Sequence, residues 1–240
     1  MKFLTRNFGF FFKLMPKSFY NNSYVKKAEE IQFFINLNKI IRNSKIDMVF
    51  DIGANIGSYS LILRKTGFNK KIIAFEPIKK YYLLAKKNLS KEKGILVENM
   101  ALGNKTGFET INIASNGGQS SSILNFSKIP NIKKISTEKI KIITISDYIK
   151  EKNLTKKKLF LKLDVQGYEL NVLKGIKDFS NIELIQLEMG FVNYYDGETL
   201  FEGLSDHMKK LNYRIVLIKT IGYKNSGEIQ YMDVVFKKNN

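Results

Sequence analysis

The feature that most narrows what this chain can fold into is an apolar strand running into a glycine turn and a helix start, Met48-Val49-Phe50-Asp51-Ile52-Gly53-Ala54-Asn55-Ile56-Gly57-Ser58-Tyr59-Ser60, with Ala74-Phe75-Glu76-Pro77 after it. A continuous apolar strand that feeds a tight turn and a helix belongs to a parallel α/β sheet buried on both faces. Ligands of such sheets sit outside the carboxyl ends of the strands. Gly53 and Gly57 allow close backbone approach at the first turn. Glu76, at the end of the next strand, can accept from both hydroxyls of a free ribose. Asp51, just before the glycines, argues against a pyrophosphate there, because the turn amides would otherwise serve a dianion. The spacing Gly53-x-Asn55-x-Gly57 lacks the extra residue of Gly-x-Gly-x-x-Gly, and there is no Gly-Lys-Ser/Thr of a P-loop. A cationic nucleoside cofactor with an unmodified ribose fits, namely S-adenosylmethionine.

Periodicity predicts helices over 25–42, 58–66, 78–89, 146–150, 168–175 and 201–211. It predicts strands over 48–51, 71–76, 95–100, 158–165 and 183–188. Their alternation implies right-handed crossovers and a doubly wound, mostly parallel sheet. The pattern breaks between 103 and 144, where 108–113 and 139–144 alternate with the period of strands and form an inserted β-hairpin. The segment 114–122 (ASNGGQSSS) is too rich in glycine and serine to be core. It is either a flexible linker or a loop closing over the site. A terminal pair, 213–219 and 230–236, joined by a turn at Asn225-Ser226-Gly227, supplies an antiparallel strand.

Composition removes several classes. The 240 residues include no cysteine and one histidine, His207, which excludes disulfides, thiolate metal sites and a catalytic thiol, and speaks against a multi-histidine metal site or a serine triad. The net charge of +18 invites a nucleic-acid partner, but only Arg6, Arg42, Arg64 and Arg214 among the 40 basic residues are arginine, whereas phosphate-reading surfaces favour arginine. No nucleic-acid partner is expected. Neither a signal peptide nor an apolar run of roughly 20 residues is present. Residues 1–20 mix Phe8, Phe10, Phe11, Phe12, Leu14 and Met15 with Lys2, Arg6, Lys13 and Lys17; they form either an amphipathic cap on the domain or an interfacial membrane contact. The expected location is the cytoplasm, at the inner face of the membrane if the segment is interfacial. The oligomeric state is not legible.

A second cluster is more specific: Leu161-Lys162-Leu163-Asp164-Val165-Gln166-Gly167-Tyr168-Glu169, continuing to Leu173-Lys174-Gly175. Together with the first turn, Phe75-Glu76-Pro77, Asn99-Met100-Ala101-Leu102-Gly103, Ser120-Ser121-Ser122 and Thr144-Ile145-Ser146-Asp147-Tyr148, it resembles the FkbM family of S-adenosylmethionine-dependent methyltransferases over about 49–236. The resemblance implies a class I methyltransferase (Rossmann-like) fold, assigned to residues 47–240; it leaves out residues 1–46, which their own pattern assigns to an N-terminal helical cap. It implies O-methylation of a small-molecule or glycan hydroxyl, commonly on a sugar. It maps the cofactor motif onto Asp51, Gly53, Asn55 and Gly57, the ribose acid onto Glu76, and the adenine side onto 99–102, including Met100 and Ala101. Many members carry glutamate where this chain has Gln166.

Methyl transfer to a sugar hydroxyl needs in-line placement and removal of a proton. With one histidine in the chain, a carboxylate is the expected base: Asp164 first, at the end of its strand, then Glu188 at the end of the next. The two could instead share Mg2+, which oxygen ligands suit. Glu169 reads as a helix-start acid and His207 as a surface or packing histidine. Tyr194, Tyr195 and Asp196 form either a lid over the cleft or an aromatic turn packed on its own domain. A nucleic-acid methyltransferase and a non-catalytic S-adenosylmethionine-binding protein are the alternative functions.

Overall fold

The computed structural model describes residues 23–127, 129–223 and 226–239, the first four through their backbone. The expectation for residues 1–20 and Asn225 of the predicted turn lie outside them. In chain order the elements are α1 (Ser23–Asn43), β1 (Met48–Ile52), α2 (Ser58–Lys65), β2 (Lys71–Phe75), α3 (Lys79–Asn88), β3 (Ile95–Glu98), β4 (Ala101–Gly103), β5 (Gly107–Ala114), β6 (Lys134–Thr144), α4 (Ile145–Glu151), β7 (Leu159–Leu163), α5 (Glu169–Lys174), β8 (Ile182–Gly190), α6 (Phe201–Lys210), β9 (Tyr213–Tyr223) and β10 (Ile229–Lys238).

Seven strands form one sheet in the order β3-β2-β1-β7-β8-β10-β9. The first five are parallel, and β10 runs antiparallel to both β8 and β9. This is the expected doubly wound, mostly parallel α/β sheet with an antiparallel strand. The order reverses between β1 and β7, which is where a crevice opens at the strand ends.

Strand parity sorts the core. Val49, Ile72, Phe160, Leu184 and Val235 face α1 and α2, where Phe33, Phe34, Leu37, Ile41 and Leu63 cover them. Phe50, Ile73, Phe75, Leu161, Leu163, Ile185, Leu187 and Val234 pack on the other face with Tyr148, Val172 and Leu204. Phe50, Phe75 and Tyr148 meet edge to face, with ring centres 4.9 to 5.6 Å apart.

The expected strand over 95–100 stops at Glu98. Asn99 Nδ2 donates to the Glu76 and Pro77 carbonyls at 3.0 and 2.8 Å, which turns the chain out of the sheet. The residues that follow become β4, in a small sheet ordered β4-β6-β5. The predicted hairpin is therefore present with longer arms. The far end of β6, from Lys134 to Thr137, is exposed on both faces, so no alternation marks it in the sequence.

Candidate active site

Local chain geometry builds the first turn. Gly53 adopts φ +80°, and a Cβ there would lie 1.9 Å from the Asp164 carbonyl oxygen. The glycine thus lets the β1–α2 turn pass directly against the end of β7, which joins the two halves of the site. Asn55 is also left-handed (φ 47°), a conformation asparagine tolerates. Its backbone N–H donates to Glu76 Oε2 at 2.8 Å, while the Ile78 N–H donates to Glu76 Oε1 at 2.8 Å. Glu76 is 4% exposed. Burial, partly opposed by those two amides, raises its carboxyl from 4.5 to about 8. Each oxygen keeps acceptor capacity, and Glu76 lines a cavity of about 690 Å³, within the usual range for small-molecule sites. A buried carboxylate with free lone pairs beside such a space fits a ligand with paired hydroxyls.

Gly53, Asn55, Ala101 and Leu102 also line this cavity, as do Asp164, Glu188 and Gln166. Asp51, Gly57 and Met100 do not. Met100 packs on the core, and Gly57 (φ +84°) lies against Leu89, which a Cβ would overlap. Asp51 is fully buried behind the wall, where it accepts from Ser60 Oγ at 2.6 Å and pairs with Lys162 Nζ at 3.1 Å.

Lys162 is the residue that sequence reasoning passed over. It stands beside Asp51 in the β1–β7 register and is 5% exposed at its side chain. Besides Asp51 it reaches Asp164 Oδ2 at 3.3 Å and the Gly53 carbonyl at 3.3 Å, over the Tyr59 ring. Burial alone would make it easier to deprotonate, but Asp164 and Asp51 outweigh that and hold it above the ordinary lysine range. The row continues through register: Lys162 beside Gln186, Glu188 beside Asp233, and Asp233 beside Lys219. A lysine inside Leu159-Phe160-Leu161-Lys162-Leu163 was a signal available in the sequence, because a buried ammonium needs acid partners.

Asp164 and Glu188 share a hydrogen bond with each other and one amide between them. Gln166 Nε2 donates to Asp164 Oδ1 at 2.9 Å and to Glu188 Oε2 at 2.6 Å. Burial pushes Asp164 up, but Lys162 and the Gln166 amide more than offset it, so the carboxyl sits below its ordinary value. Glu188 has no such cation; burial and the neighbouring Asp164 and Asp233 raise it well above the carboxylate range. The pair therefore holds its proton on the Glu188 side. Among the described residues no group of three or more acidic or histidine side chains could hold a metal ion. The two carboxyls turn to Gln166 and Lys162 instead, a donor set that does not fit the alternative of shared Mg2+.

The segment 114–122 lies over the cavity. Asn116, Gly118, Gln119, Ser120 and Ser121 line it, Asn55 Nδ2 donates to the Gly117 carbonyl at 3.4 Å, and Ser122 Oγ donates to the Gln166 carbonyl at 2.7 Å. The segment is thus seated on the cavity wall, tied to both the first turn and Gln166. Tyr194 and Tyr195 also line the cavity, and Tyr194 stacks on Tyr231 with ring centres 5.7 Å apart; Asp196 is exposed. Glu169, 3% exposed, accepts from the Val165 N–H at 2.9 Å and is raised by burial to about 8. His207 does not line the cavity.

These shifts fix a sign for pH. Glu76 and Glu169 bind protons more tightly when folded than when unfolded, so the unfolded chain ionises first as pH rises from 4.5. Stability of the ligand-free protein is expected to fall between about pH 5 and about pH 8, by at most about 1.4 kcal/mol per pH unit from each group. Urea midpoints across that range test this; a flat or rising trend contradicts it.

The model for the methyltransferase FkbM domain matches residues 51–215. A hexuronic acid methyltransferase, AglP of Haloferax volcanii, is 29% identical over 176 residues, 69% of this chain and 66% of AglP, so the chain spans just under two thirds of that relative. Among solved structures, the magnesium protoporphyrin IX methyltransferase ChlM from Synechocystis PCC 6803 with bound SAM is 10% identical, with a TM-score of 0.49 over 91% of this chain and 85% of ChlM. The ribosomal protein L11 methylase from Lactobacillus delbrueckii subsp. bulgaricus is 9% identical, with a TM-score of 0.46 over 87% and 77%. No helix among the described residues is long and apolar enough to cross a membrane.

Proposed function

The chain belongs to the FkbM methyltransferase family, an S-adenosylmethionine-dependent group, and on that premise we propose that it methylates a hydroxyl on a sugar ring of a surface glycan or related metabolite. The bound cofactor supplies an electrophilic methyl group on a sulfonium centre. Glu76 and the Asn55 turn would hold its ribose, and Ala101 with Leu102 its base.

The observation that carries the reading is the Asp164–Glu188 pair on one amide, in the same cavity as Glu76. A sugar hydroxyl must lose its proton as its oxygen attacks, and a positioned carboxylate accelerates this by roughly 10²–10⁴. Asp164, kept ionised beside Lys162, lines the cavity and takes that proton, while Gln166 holds it beside the protonated Glu188. The two titrate as a unit. The stacked Tyr194 and Tyr231 offer ring faces for the C–H side of a sugar. AglP, named for a hexuronic acid, supports a glycan acceptor.

The test supplies S-adenosylmethionine with a labelled methyl group to glycan fractions of the source cell. Label is expected in an ether that survives mild alkali. Label released as methanol would mark a carboxyl ester and overturn the hydroxyl acceptor. With the acceptor in hand, Asp164→Asn is expected to lower kcat about 100-fold or more and to leave cofactor affinity within about 2-fold, since no contact of Glu76 changes. Full turnover in that variant removes Asp164 from the role.

A further inference from the structure

Gln166 touches both the acids of the cavity and the loop above them. Its backbone is left-handed, with φ 55°, a region glutamine rarely adopts. Its side-chain oxygen accepts from Tyr195 OH at 2.8 Å, and the same hydroxyl lies 3.0 Å from the Ser120 carbonyl. Its own carbonyl accepts from Ser122 Oγ. The amide orientation follows from chemistry: the ionised Asp164 oxygen needs a donor, which is the NH2 group, and the Tyr195 hydrogen needs an acceptor, which is the amide oxygen.

We propose that Gln166 is a positioning residue that sets the spacing of Asp164 and Glu188 and ties it to the seating of loop 114–122, so that the pair is held in its working geometry only while that loop is closed. The catalytic part rests on the reading of the pair as proton acceptor; the mechanical link does not. Gln166 meets the loop at two places, through Tyr195 OH shared with the Ser120 carbonyl and through its own carbonyl on Ser122. Loop opening removes Ser120 and Ser122 from that network and so loosens the hold of the amide on the pair.

Three substitutions separate the two ends. Gln166→Ala removes both ends of the side chain and keeps only the backbone carbonyl on Ser122. Tyr195→Phe removes the loop contact and leaves the amide donors on the acids. Gln166→Glu keeps an oxygen for Tyr195 but has no hydrogen for Asp164 and Glu188 once ionised. Hydrogen exchange at residues 114–122 needs no acceptor and reports loop seating. Exchange is expected to quicken about 10-fold in Gln166→Ala and Tyr195→Phe and to stay within about 2-fold of the parent in Gln166→Glu.

Stability against pH reports the other end. In Gln166→Glu a third carboxyl joins Asp164 and Glu188, with Glu169 and Asp233 near Glu188, Glu198 beside Glu169 and Tyr195, and Lys162 as the facing cation. Its stability is expected to fall more steeply than the parent's as pH rises from 5 to 8, and adding Asp164→Asn is expected to restore the parent slope. A residue that merely filled space would not move that slope. Unchanged exchange in both Gln166→Ala and Tyr195→Phe, or an unchanged slope in Gln166→Glu, overturns the proposal. A fully active Asp164→Asn with the exchange pattern intact would instead remove the proton-acceptor reading and leave the mechanical link standing.

Discussion

The Glu76→Ala protein is expected to bind S-adenosylmethionine at least about 100-fold more weakly than the parent. In the proposed site the carboxylate would accept from two ribose hydroxyls, and hydrogen bonds to a charged group contribute about 1.5–3 kcal/mol each. Two of them correspond to roughly 10²–10⁴ in affinity. The alanine also strips the Asn55 and Ile78 amides of their acceptor, so the turn that shapes the pocket loosens with it. Glu76→Gln is no gentle replacement either. Both carboxyl oxygens receive a backbone N–H, and an amide must point its own NH2 at one of them. Calorimetric titration checks the result, alongside urea unfolding to show that the variant is folded; affinity within about 3-fold of the parent contradicts the assignment. The parent carries a second signature. Glu76 must ionise to accept the hydroxyls, so binding is expected to release a proton below about pH 8 and to strengthen as pH rises toward it. Heats measured in two buffers of different ionisation enthalpy show that proton directly.

Lys162→Met is expected to produce the largest loss of stability. The ammonium is all but sealed between Asp51 and Asp164, and Asp51 itself has no exposure. Removing one partner of a buried pair strands the other, at a cost of about 3–5 kcal/mol. In a chain of this size that lowers Tm by roughly 6–20 °C. The remedy identifies the cause: adding Asp51→Asn to Lys162→Met removes the stranded charge and should recover a large part of the loss, whereas Asp51→Asn alone should destabilise. Losses that simply add across the two sites would show that no coupling exists. The same variant removes the cation that keeps Asp164 ionised, so any remaining activity should move its acid limb to higher pH.

The sheet was legible because buried parallel strands advertise themselves. Met48–Ile52, Lys71–Phe75 and Leu159–Leu163 are short apolar runs bounded by turn residues, and Asp51, Glu76 and Asp164 fall near their carboxyl ends, as Glu188 does in Ile182–Gly190. What stayed hidden depended on pairing across the sheet. The stop after Glu98 is made by Asn99 bonding to carbonyls at 76 and 77, a contact between segments that no local period encodes. Gly53 reads in sequence as room for a ligand, yet the atom it makes room for is the Asp164 carbonyl. Asp51 reads as a cofactor ligand and in the fold anchors Lys162. Glu169 reads as a helix-start acid, which suits its place in the first turn of α5, but its burial and its bond to Val165 appear only once the loop is folded. Gln166 shows its role only when Glu188 and Tyr195, distant in sequence, arrive on either side of it.

The placement of β10 sets an order of events. It is the final strand among the described residues, yet it lies between β8 and β9, with Leu187 paired to Val234 and Glu188 to Asp233. Until it arrives, β8 shows an open hydrogen-bonding edge beside Leu184, Ile185, Leu187 and Met189, all fully buried in the finished molecule. Pairings so far apart in sequence form slowly, and an unpaired apolar edge is what another copy of the chain can capture. Because β9 pairs with β10 alone among the described strands, the two form a hairpin whose docking on β8 also completes the wall carrying Glu188. Substitutions in β10 should therefore register first as lost yield and aggregation during refolding, before any change in the equilibrium midpoint is seen.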